Sequence, residues 1–390
     1  MKDIFSDADV NAMPPAGGLL RVGRWNVHLP RVMGFCGGVL HALQMLQKTL
    51  ECRNAHRIWL LGEIIHNDTV NEYFRSQGVR ILPEAEINAI FELARPTDVI
   101  VIPAFGIPRD LDCQLREFCR NEALIVDTTC RYVKRIWDFV EKMAAERRTI
   151  LVHGKPNHPE TRATLSRALT IENAVVLIPD LDTARIVAAA IQSGSLTTLP
   201  ECLTRNCAKL TSANMAIVNQ TTMLYQETCE IEKLIMEAVN EVNGVLGKAS
   251  TICRATQDRQ DAALELCSHG CDVIIVVGGF SSSNTNQLYR LAAKRCPTYF
   301  IRNALALKAD RIRHYRPESA NEVITHEWLS EGIRNIGLLA GASCPPSDIG
   351  AVIRKLEEIA RAGVSGKFGQ KNGGSDEIRT RDLRRDRPAL

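Results

Sequence analysis

Three stretches of this 390-residue chain share one local plan: RVMGFCGGVLHALQML at 31–46, LIVDTTCRYVKRIWDFVEK at 124–142 and ASTICRATQDRQDAALEL at 249–266. In each stretch an extended segment ends, a small or polar turn follows, a cysteine comes next, and an amphipathic helical pattern begins. Open α/β sheets bind their ligands at the carboxyl ends of strands. The repeat therefore predicts three similar α/β domains, each offering one cysteine at such an end.

These cysteines are Cys36, Cys130 and Cys253. A helix N-terminus behind a thiol favours the thiolate that a metal requires. Spacing alone leaves unrelated core thiols as an equal alternative, because the three cysteines resemble no compact ferredoxin run. Their shared setting favours one iron–sulfur cluster. Three thiolates are one short of the usual four, and a centre with a missing ligand can bind substrate, as catalytic zinc sites do.

Short β-branched runs alternate with amphipathic stretches along the rest of the chain. Strands are predicted at 58–62, 98–103, 122–127, 148–152, 214–219, 272–277, 298–302 and 335–339. Helices are predicted at 38–50, 110–120, 131–146, 226–243, 256–268, 286–295 and 346–361. Apolar strands separated by helices indicate an α/β fold with mostly parallel sheets.

The organisation predicted from this pattern has five segments. They are an N-terminal extension (1–24), three α/β domains (25–130, 131–250 and 251–362) and a tail (363–390). The tail is rich in Gly, Arg and Asp and nearly free of apolar residues, so we expect it to be disordered. We expect the three domains to surround a central cleft in a pseudo-threefold arrangement, with the cluster in the cleft.

The composition excludes several classes of function. The chain is 45% hydrophobic and 24% charged, and its net charge of +3 is too small for a nucleic-acid or anionic-membrane footprint. No apolar run approaches the length that crosses a bilayer, and the start of the chain is acidic without an apolar core, so a cytoplasmic protein is expected.

Other candidate motifs carry no function. Thirteen cysteines without regular spacing make a poor disulfide framework for a chain of this size. The pairs Cys113–Cys119 and Cys202–Cys207 lack the second half of a zinc site, so we interpret them as structural thiols. Gly278–Gly279 lacks the flanking residues of a nucleotide-binding loop.

A set of motifs runs from Val32 to Ala360 in a fixed order. They are GFCGGV, GEIIHN, DTTC, HGKPNHPET, NQTTML, TICRATQDRQDA, VVGGFSSSNTNQL and AGASCP. The ordered set resembles the 4-hydroxy-3-methylbut-2-enyl diphosphate reductase family, which carries out the last step of the methylerythritol phosphate route to isoprenoids. The wording of several motifs is similar to the plant and cyanobacterial branch of that family.

The resemblance implies a cofactor, a reaction, a small-molecule substrate and an electron donor. It implies one [4Fe–4S] cluster per chain, held by the three cysteines, with the substrate's hydroxyl group on the fourth iron. The reaction is the reductive dehydroxylation of an allylic diphosphate to isopentenyl and dimethylallyl diphosphates. The chain has no flavin or nicotinamide motif, so an external one-electron carrier, ferredoxin or flavodoxin, is expected.

Two residues are implied to handle the proton of this reaction. A hydroxyl is a poor leaving group unless an acid or a Lewis-acidic metal assists it. Glu160 is the candidate proton source, and Thr221 is expected to pass or position the proton. The simpler alternative for Glu160 is an ordinary carboxylate in the first turn of a helix.

Six residues are implied to bind the diphosphate, and they are neutral donors rather than an Arg/Lys cluster. Hydroxyl, amide and backbone donors at helix N-termini form a ready anion site, although capping of those helices is a compatible alternative. Histidines taken singly are more often structural. The six are His66, His158, Ser282, Ser283, Asn284 and Ser343.

Two departures from the family pattern bear on the site. The chain reads PAFG, with Phe105 where the better-known branch has a histidine, and Phe105 is therefore left out of the site. Gly37 stands where the family often has phenylalanine. Two rival functions stay open: a non-catalytic iron–sulfur redox sensor, which would not need Glu160 or Thr221, and a relative that reduces a different substrate.

Overall fold

The computed structural model describes residues 17–52, 57–119, 121–249 and 251–369. The strands are β1 (Leu19–Val22), β2 (Trp25–His28), β3 (Ile58–Leu61), β4 (Arg80–Leu82), β5 (Val99–Ile102), β6 (Ile125–Asp127), β7 (Thr149–His153), β8 (Val175–Ile178), β9 (Thr204–Arg205), β10 (Asn214–Asn219), β11 (Val245–Lys248), β12 (Val273–Val277), β13 (Thr298–Ile301), β14 (Arg311–Arg316), β15 (Asn321–His326) and β16 (Asn335–Ala340).

The helices are α1 (Gly37–Cys52), α2 (Asp68–Ser76), α3 (Ile90–Leu93), α4 (Arg109–Phe118), α5 (Arg131–Ala145), α6 (Pro159–Ala168), α7 (Leu181–Gln192), α8 (Tyr225–Glu241), α9 (Arg254–Ser268), α10 (Ser283–Ala293) and α11 (Pro346–Gly369). All eight predicted strands and all seven predicted helices are confirmed within a few residues. Helix α11 extends past the predicted start of the tail at residue 363, and the tail from residue 370 lies outside the described residues.

The strands form three sheets. The first sheet has the order β4-β3-β5-β6 and is wholly parallel. The second has the order β11-β10-β7-β8-β9, in which only β9 is antiparallel. The third has the order β1-β2-β16-β12-β13-β14-β15 and combines a parallel centre with antiparallel edges. The predicted α/β class with three units is confirmed; the first and second sheets are mostly parallel, whereas the third has three parallel and three antiparallel pairings.

Each sheet is covered by apolar packing on both faces, which explains why its central strands are continuous apolar runs. Strand β12, for example, is buried at all five of its positions, Val273–Val277. Alternate residues of that strand enter two separate cores, one on either face of the third sheet. The first and second sheets are arranged in the same way.

The chain passes from one sheet to the next at each of the three cysteines. After β2 of the third sheet, α1 packs Leu43 into a core of the first sheet. After β6 of the first sheet, α5 packs Ile136 on the second. After β11 of the second sheet, α9 packs Leu266 on the third. The chain thus passes from the third sheet to the first, from the first to the second and from the second back to the third, and each passage lies next to one of the cysteines.

The hairpin of β1 and β2 joins the third sheet, because β2 pairs in parallel with β16. Residues 25–28 therefore do not lie in the sheet of residues 58–127, and part of the predicted N-terminal extension is a strand. The boundaries of the predicted domains stay a prediction.

Among the described residues, no helix has the length and apolar character needed to cross a bilayer.

Candidate active site

One cavity lies where the three sheets meet, and its wall contains all three cysteines. Cys36 directly precedes α1, and Cys130 and Cys253 are the N-cap residues of α5 and α9. Every residue predicted for the site lines this cavity: Cys36, His66, Cys130, His158, Glu160, Thr221, Cys253, Ser282, Ser283, Asn284 and Ser343. Residues far apart in the sequence thus share one small volume.

Gly38 allows two of the thiols to approach each other. A Cβ atom on Gly38 would lie 2.7 Å from Cys130 Sγ and 3.9 Å from Cys36 Sγ, so no side chain fits there without displacing a thiol. A Cβ atom on the neighbouring Gly37 would meet no atom within 4 Å. The departure at Gly37 therefore leaves open space beside the cavity and does not alter the contacts of the thiols.

Helix starts supply hydrogen bonds to two of the sulfurs. The Val39 N–H points at Cys36 Sγ at 3.5 Å, and the Thr256 N–H donates to Cys253 Sγ at 3.3 Å. The Thr256 hydroxyl lies 3.0 Å from the same sulfur. Such donors stabilise a thiolate, which is the form that a metal binds.

Burial works against the thiolate as long as no metal is bound. It raises the pKa of Cys253 to about 11. Burial, aided by the charges of Cys36 and Glu160, also raises the pKa of Cys130. The thiols of Cys130 and Cys253 therefore keep their protons at neutral pH when no metal is bound, and metal binding must release these protons.

The arrangement of the thiols fits a cluster better than a single ion. Within the described ranges, no three His, Cys, Asp or Glu side chains are close enough to share one metal ion. The thiols of Cys36, Cys130 and Cys253 instead surround a cavity. A multi-iron cluster with sulfur ligands spans such a space, whereas one zinc ion draws its ligands to about 2.3 Å.

Glu160 and Thr221 form a buried pair beside the thiols. The Thr221 N–H donates to Glu160 Oε1 at 2.6 Å, and the Thr221 hydroxyl donates to Oε2 at 2.9 Å. Burial raises the pKa of Glu160 to about 7, although both hydrogen bonds from Thr221 act in the opposite direction. The carboxyl group can therefore carry a proton near neutral pH, unlike an ordinary first-turn carboxylate.

His66 and His158 present ring nitrogens to the cavity. His66 Nδ1 lies 2.8 Å from a carboxylate oxygen of Glu63, which places the hydrogen on Nδ1. His158 Nδ1 accepts the Glu160 N–H at 3.2 Å, which places its hydrogen on Nε2. Burial, together with nearby His66 and Lys155, lowers the pKa of His158 well below its ordinary value, so the ring is neutral.

Phe105 lies in the cavity wall, although it was left out of the predicted site because it replaces a histidine of the family pattern. Its ring stacks on His66 with centroids 4.1 Å apart and meets His158 edge-on at 5.7 Å. A second, larger cavity of about 810 Å³ lies beyond His66 and Phe105, at the carboxyl ends of β3, β4 and β5. The stacked pair therefore separates the thiol-lined cavity from this open space.

The polar residues of the third sheet form the opposite wall. Ser282 is the N-cap of α10, and its hydroxyl accepts the Ser343 hydroxyl at 3.1 Å. Asn284 Oδ1 accepts the Ala342 N–H at 3.0 Å, which orients the side chain. Ser283 lies 3.5 Å from the Thr222 carbonyl oxygen. Ser282 thus caps α10 while its side chain also lines the cavity.

Two buried polar atoms of this cavity have no partner among the described residues. They are His66 Nε2 and Asn284 Nδ2. An unpaired buried polar group costs about 1–3 kcal/mol, so such groups mark places where a ligand completes the hydrogen bonding. Asn284 Nδ2 is a donor and can bind an anion, whereas His66 Nε2, with the ring hydrogen on Nδ1, is an acceptor for a hydroxyl group of a ligand.

The sequence reasoning missed residues that support the site from behind. Glu63 orients His66, Thr256 contacts Cys253, and Arg259 is buried near two thiols. Glu63 and Thr256 stand three residues from their partners, a spacing that suggests contact in a turn. No comparable pattern marks Arg259.

Comparison with known proteins agrees with this geometry. The family described as LytB protein matches residues 27–357. A protein of Nostoc punctiforme named 4-hydroxy-3-methylbut-2-enyl diphosphate reductase is 35% identical over 355 residues, which cover 87% of this chain and 86% of its own. A protein of Gloeobacter violaceus with the same name is 33% identical over 387 residues, 95% of this chain and 91% of its own.

Two solved structures are also similar. The E-1-hydroxy-2-methyl-but-2-enyl-4-diphosphate reductase of Plasmodium falciparum aligns with a TM-score of 0.66 at 19% identity, covering 84% of this chain and 86% of its own. An (E)-4-hydroxy-3-methyl-but-2-enyl diphosphate reductase, described as the terminal enzyme of the non-mevalonate pathway, aligns with a TM-score of 0.54 at 25% identity, covering 85% and 98%. From its motifs, its fold and these relatives, the chain belongs to the LytB protein family.

Proposed function

We propose that this protein reduces 4-hydroxy-3-methylbut-2-enyl diphosphate to isopentenyl and dimethylallyl diphosphates. The observation that carries the proposal is the buried Glu160–Thr221 pair in the same cavity as the three thiols. A redox sensor would need the thiols alone. The names of the relatives support the same reaction.

Cys36, Cys130 and Cys253 would hold one [4Fe–4S] cluster. When bound, a cluster with three protein ligands supplies single electrons and an iron without a protein ligand, which acts as a Lewis acid. The hydrogen bonds to Cys36 and Cys253 from the starts of α1 and α9 orient these ligands. The chain's own residues then position the substrate and move the proton.

Glu160 would supply the proton that turns the departing hydroxyl into water. Its carboxyl group is protonated in a substantial fraction of molecules near pH 7, because burial raises its pKa to about 7. The Thr221 hydroxyl, 2.9 Å away, can receive this proton and donate its own to the substrate oxygen. The bond between carbon and oxygen then breaks as two electrons arrive, the oxygen leaves as water, and a second proton adds to the allylic carbon to complete either product.

The diphosphate would bind to neutral donors between α10 and the two histidines. His158 Nε2 carries a hydrogen, Asn284 Nδ2 lacks a partner, and the N–H groups at the start of α10 add a positive partial charge. Ser282 and Ser343 add hydroxyl groups. Neutral donors hold an anion without competing with the cluster for negative charge.

Electrons would arrive from ferredoxin or flavodoxin. The residues directly after Cys130 and Cys253 are Arg131 and Arg254, and both are exposed, as is Arg135 one turn further. These cations lie beside the helix starts that carry the cluster ligands. An acidic one-electron carrier would find complementary charge there, close to the cluster.

Anaerobic reconstitution with iron and sulfide, followed by turnover with a reduced viologen dye, tests the proposal. We expect about four irons per chain and conversion of the diphosphate to both products. A full cluster without either product would overturn the reaction and favour a sensor or a different substrate.

The role of Glu160 is tested by Glu160→Gln. Loss of a general acid lowers kcat by about 10²–10⁴-fold. Asp182→Asn is the matched control, because Asp182 is also an acid in the first turn of a helix but its side chain is exposed. Near-normal turnover by Glu160→Gln would contradict the role of Glu160 as proton source and would leave it as an ordinary carboxylate in the first turn of a helix.

A further inference from the structure

Arg259 is a buried cation of α9 whose partners are backbone carbonyl groups. The residue is 4% exposed. Its Nη1 donates to the Ala255 carbonyl oxygen at 2.8 Å, and its Nη2 donates to the Gly34 carbonyl oxygen at 2.7 Å. Its Nε is buried without a partner, and no carboxylate among the described residues forms an ion pair with it.

Another buried arginine of the chain shows how a guanidinium is usually accommodated. Arg167 is 9% exposed, pairs with Asp112 at 3.0 Å and with Glu141 at 3.3 Å, and stacks on Trp137. A buried charge of this kind is costly unless an opposite charge lies close to it. The environment of Arg259 therefore requires an anion that the carboxylates near it do not supply.

The groups that can supply this negative charge are the thiols of the site. Burial lowers the pKa of Arg259, and the negative charges of Cys36 and Cys253 oppose that shift, with a smaller contribution from Asp258. Arg259 lies on the helix that begins after Cys253 and donates to the loop that carries Cys36, so thiolates bound to a metal would supply the negative charge that its surroundings lack.

The contact with Gly34 adds a geometric role. Gly34 lies in the loop that carries Cys36, whereas Arg259 lies on the helix that begins after Cys253. One side chain thus ties two of the ligand-bearing segments together. Arg259 and Gly34 are 225 positions apart in the sequence, so this hydrogen bond is a tertiary contact between the two segments.

We propose that Arg259 is a positioning residue for the cluster, whose fixed positive charge balances the thiolate ligands and makes the cluster easier to reduce. Each electron that enters adds one negative charge, and a nearby cation in a poorly solvated site stabilises that charge strongly. This inference shares one part of the proposed function, namely that the three thiols hold an iron–sulfur cluster, and it does not depend on the substrate.

Arg259→Met and Arg259→Lys test the inference in the reconstituted full chain. The readouts are the midpoint potential, from a redox titration followed by electron paramagnetic resonance, and the iron retained after gel filtration. We expect a more negative potential and loss of iron for Arg259→Met. Arg259→Lys keeps the charge but not both carbonyl contacts, so its potential should stay near that of the wild type while its iron content falls.

Arg167→Met is the control for simple loss of a buried arginine. It should lower the melting temperature without shifting the potential, because the charge of Arg167 is already balanced by the carboxylates of Asp112 and Glu141. A potential that is the same in wild type, Arg259→Met and Arg259→Lys would overturn the inference. If Arg259→Met does not fold, Arg259→Gln takes its place. A midpoint potential of Arg259→Lys that differs from that of the wild type as much as the potential of Arg259→Gln does would then also overturn the inference.

These measurements use no substrate. A wild-type protein that holds a cluster but does not convert the diphosphate would overturn the proposed reaction, and the potentials of the variants would still decide the role of Arg259. A wild-type protein that binds no iron would overturn both.

Discussion

The two adjacent glycines at the start of α1 have different surroundings, and the difference can be measured. Gly38→Ala should leave the fold intact, since alanine favours a helix over glycine by about 0.5–1 kcal/mol, but the new Cβ would displace the Cys130 thiol. We expect a marked loss of iron after reconstitution. Gly37→Ala, where a Cβ meets open space, is the matched control and should retain its iron.

The raised pKa of Glu160 predicts how turnover depends on pH. A proton donor acts in its protonated form, and burial raises the pKa of Glu160 to about 7. Turnover should therefore fall as pH rises through about 7, by about tenfold for each further unit. We expect this decline in kcat with a reduced dye in wild type and in Asp182→Asn. A kcat that increases between pH 6 and 9 would contradict the assignment.

The residues of the site differ in how far the sequence could predict them. The motifs indicate metal binding by Cys36, Cys130 and Cys253 and proton donation by Glu160, and these four residues all line the cavity. Phe105 has no donor, so nothing in its chemistry placed it beside His66. Arg259 belongs to an ordinary polar helix pattern, and only the packing of α9 shows that its side chain is buried.

At the scale of elements, the start of α11 is joined to α2 through a buried carboxyl group. Asp348 accepts hydrogen bonds from Thr69 and Asn67, yet burial raises its pKa to about 6. The folded state therefore binds the proton more tightly than the unfolded state does. The resulting stability is present below about pH 4 and is lost as pH rises through about 6.

Asp348→Asn should remove the loss of folding stability that the wild type undergoes as pH rises through about 6. At pH 8 the variant should be more stable than wild type by about 2–3 kcal/mol, and at pH 4 the two should be equal. Urea unfolding at both pH values measures the difference. Asp182→Asn, whose parent side chain is exposed, should show no such dependence on pH. Equal stability of Asp348→Asn and wild type at pH 8 would contradict the prediction.

Most elements with strong apolar patterns were predicted, although the buried apolar strand β8 and the amphipathic helix α7 were missed. Strand β12 is a buried run of Val and Ile, so its position followed directly. Helix α6 was absent from the predicted helices, because its buried face contains polar residues such as Thr161 and Thr164 and so lacks an apolar period. The last two strands of the third sheet, β14 and β15, are largely polar. Their pairing depends on the turn between them and on the sheet beside them.

At the scale of the whole molecule, the cavity is held by three helices that pack on three different sheets. A cluster bound to Cys36, Cys130 and Cys253 would cross-link these units and bind only the folded state. The reconstituted protein should therefore melt at a higher temperature than the metal-free protein. Serine at any of the three positions should abolish the difference, whereas Cys113→Ser, at an exposed thiol, should preserve it. Equal melting temperatures with and without iron would contradict this prediction.

The three-unit organisation was predictable because the strand–cysteine–helix plan is local and repeats three times. The membership of β2 in the third sheet was not, since its partner β16 lies at the other end of the described chain. No local pattern encodes a pairing of that kind. The cyclic passage of the chain between the sheets likewise becomes visible only when the helices are seen on their cores.

The pairing of β2 with β16 also sets an order of events during synthesis. The first and second sheets can close while the chain is still being translated, but β2 and the loop of Cys36 must wait for Asn335–Ala340 to emerge. A chain interrupted shortly before β16 would contain all three cysteines and still lack a closed site. Insertion of iron would thus wait until β16 has been made and has paired with β2.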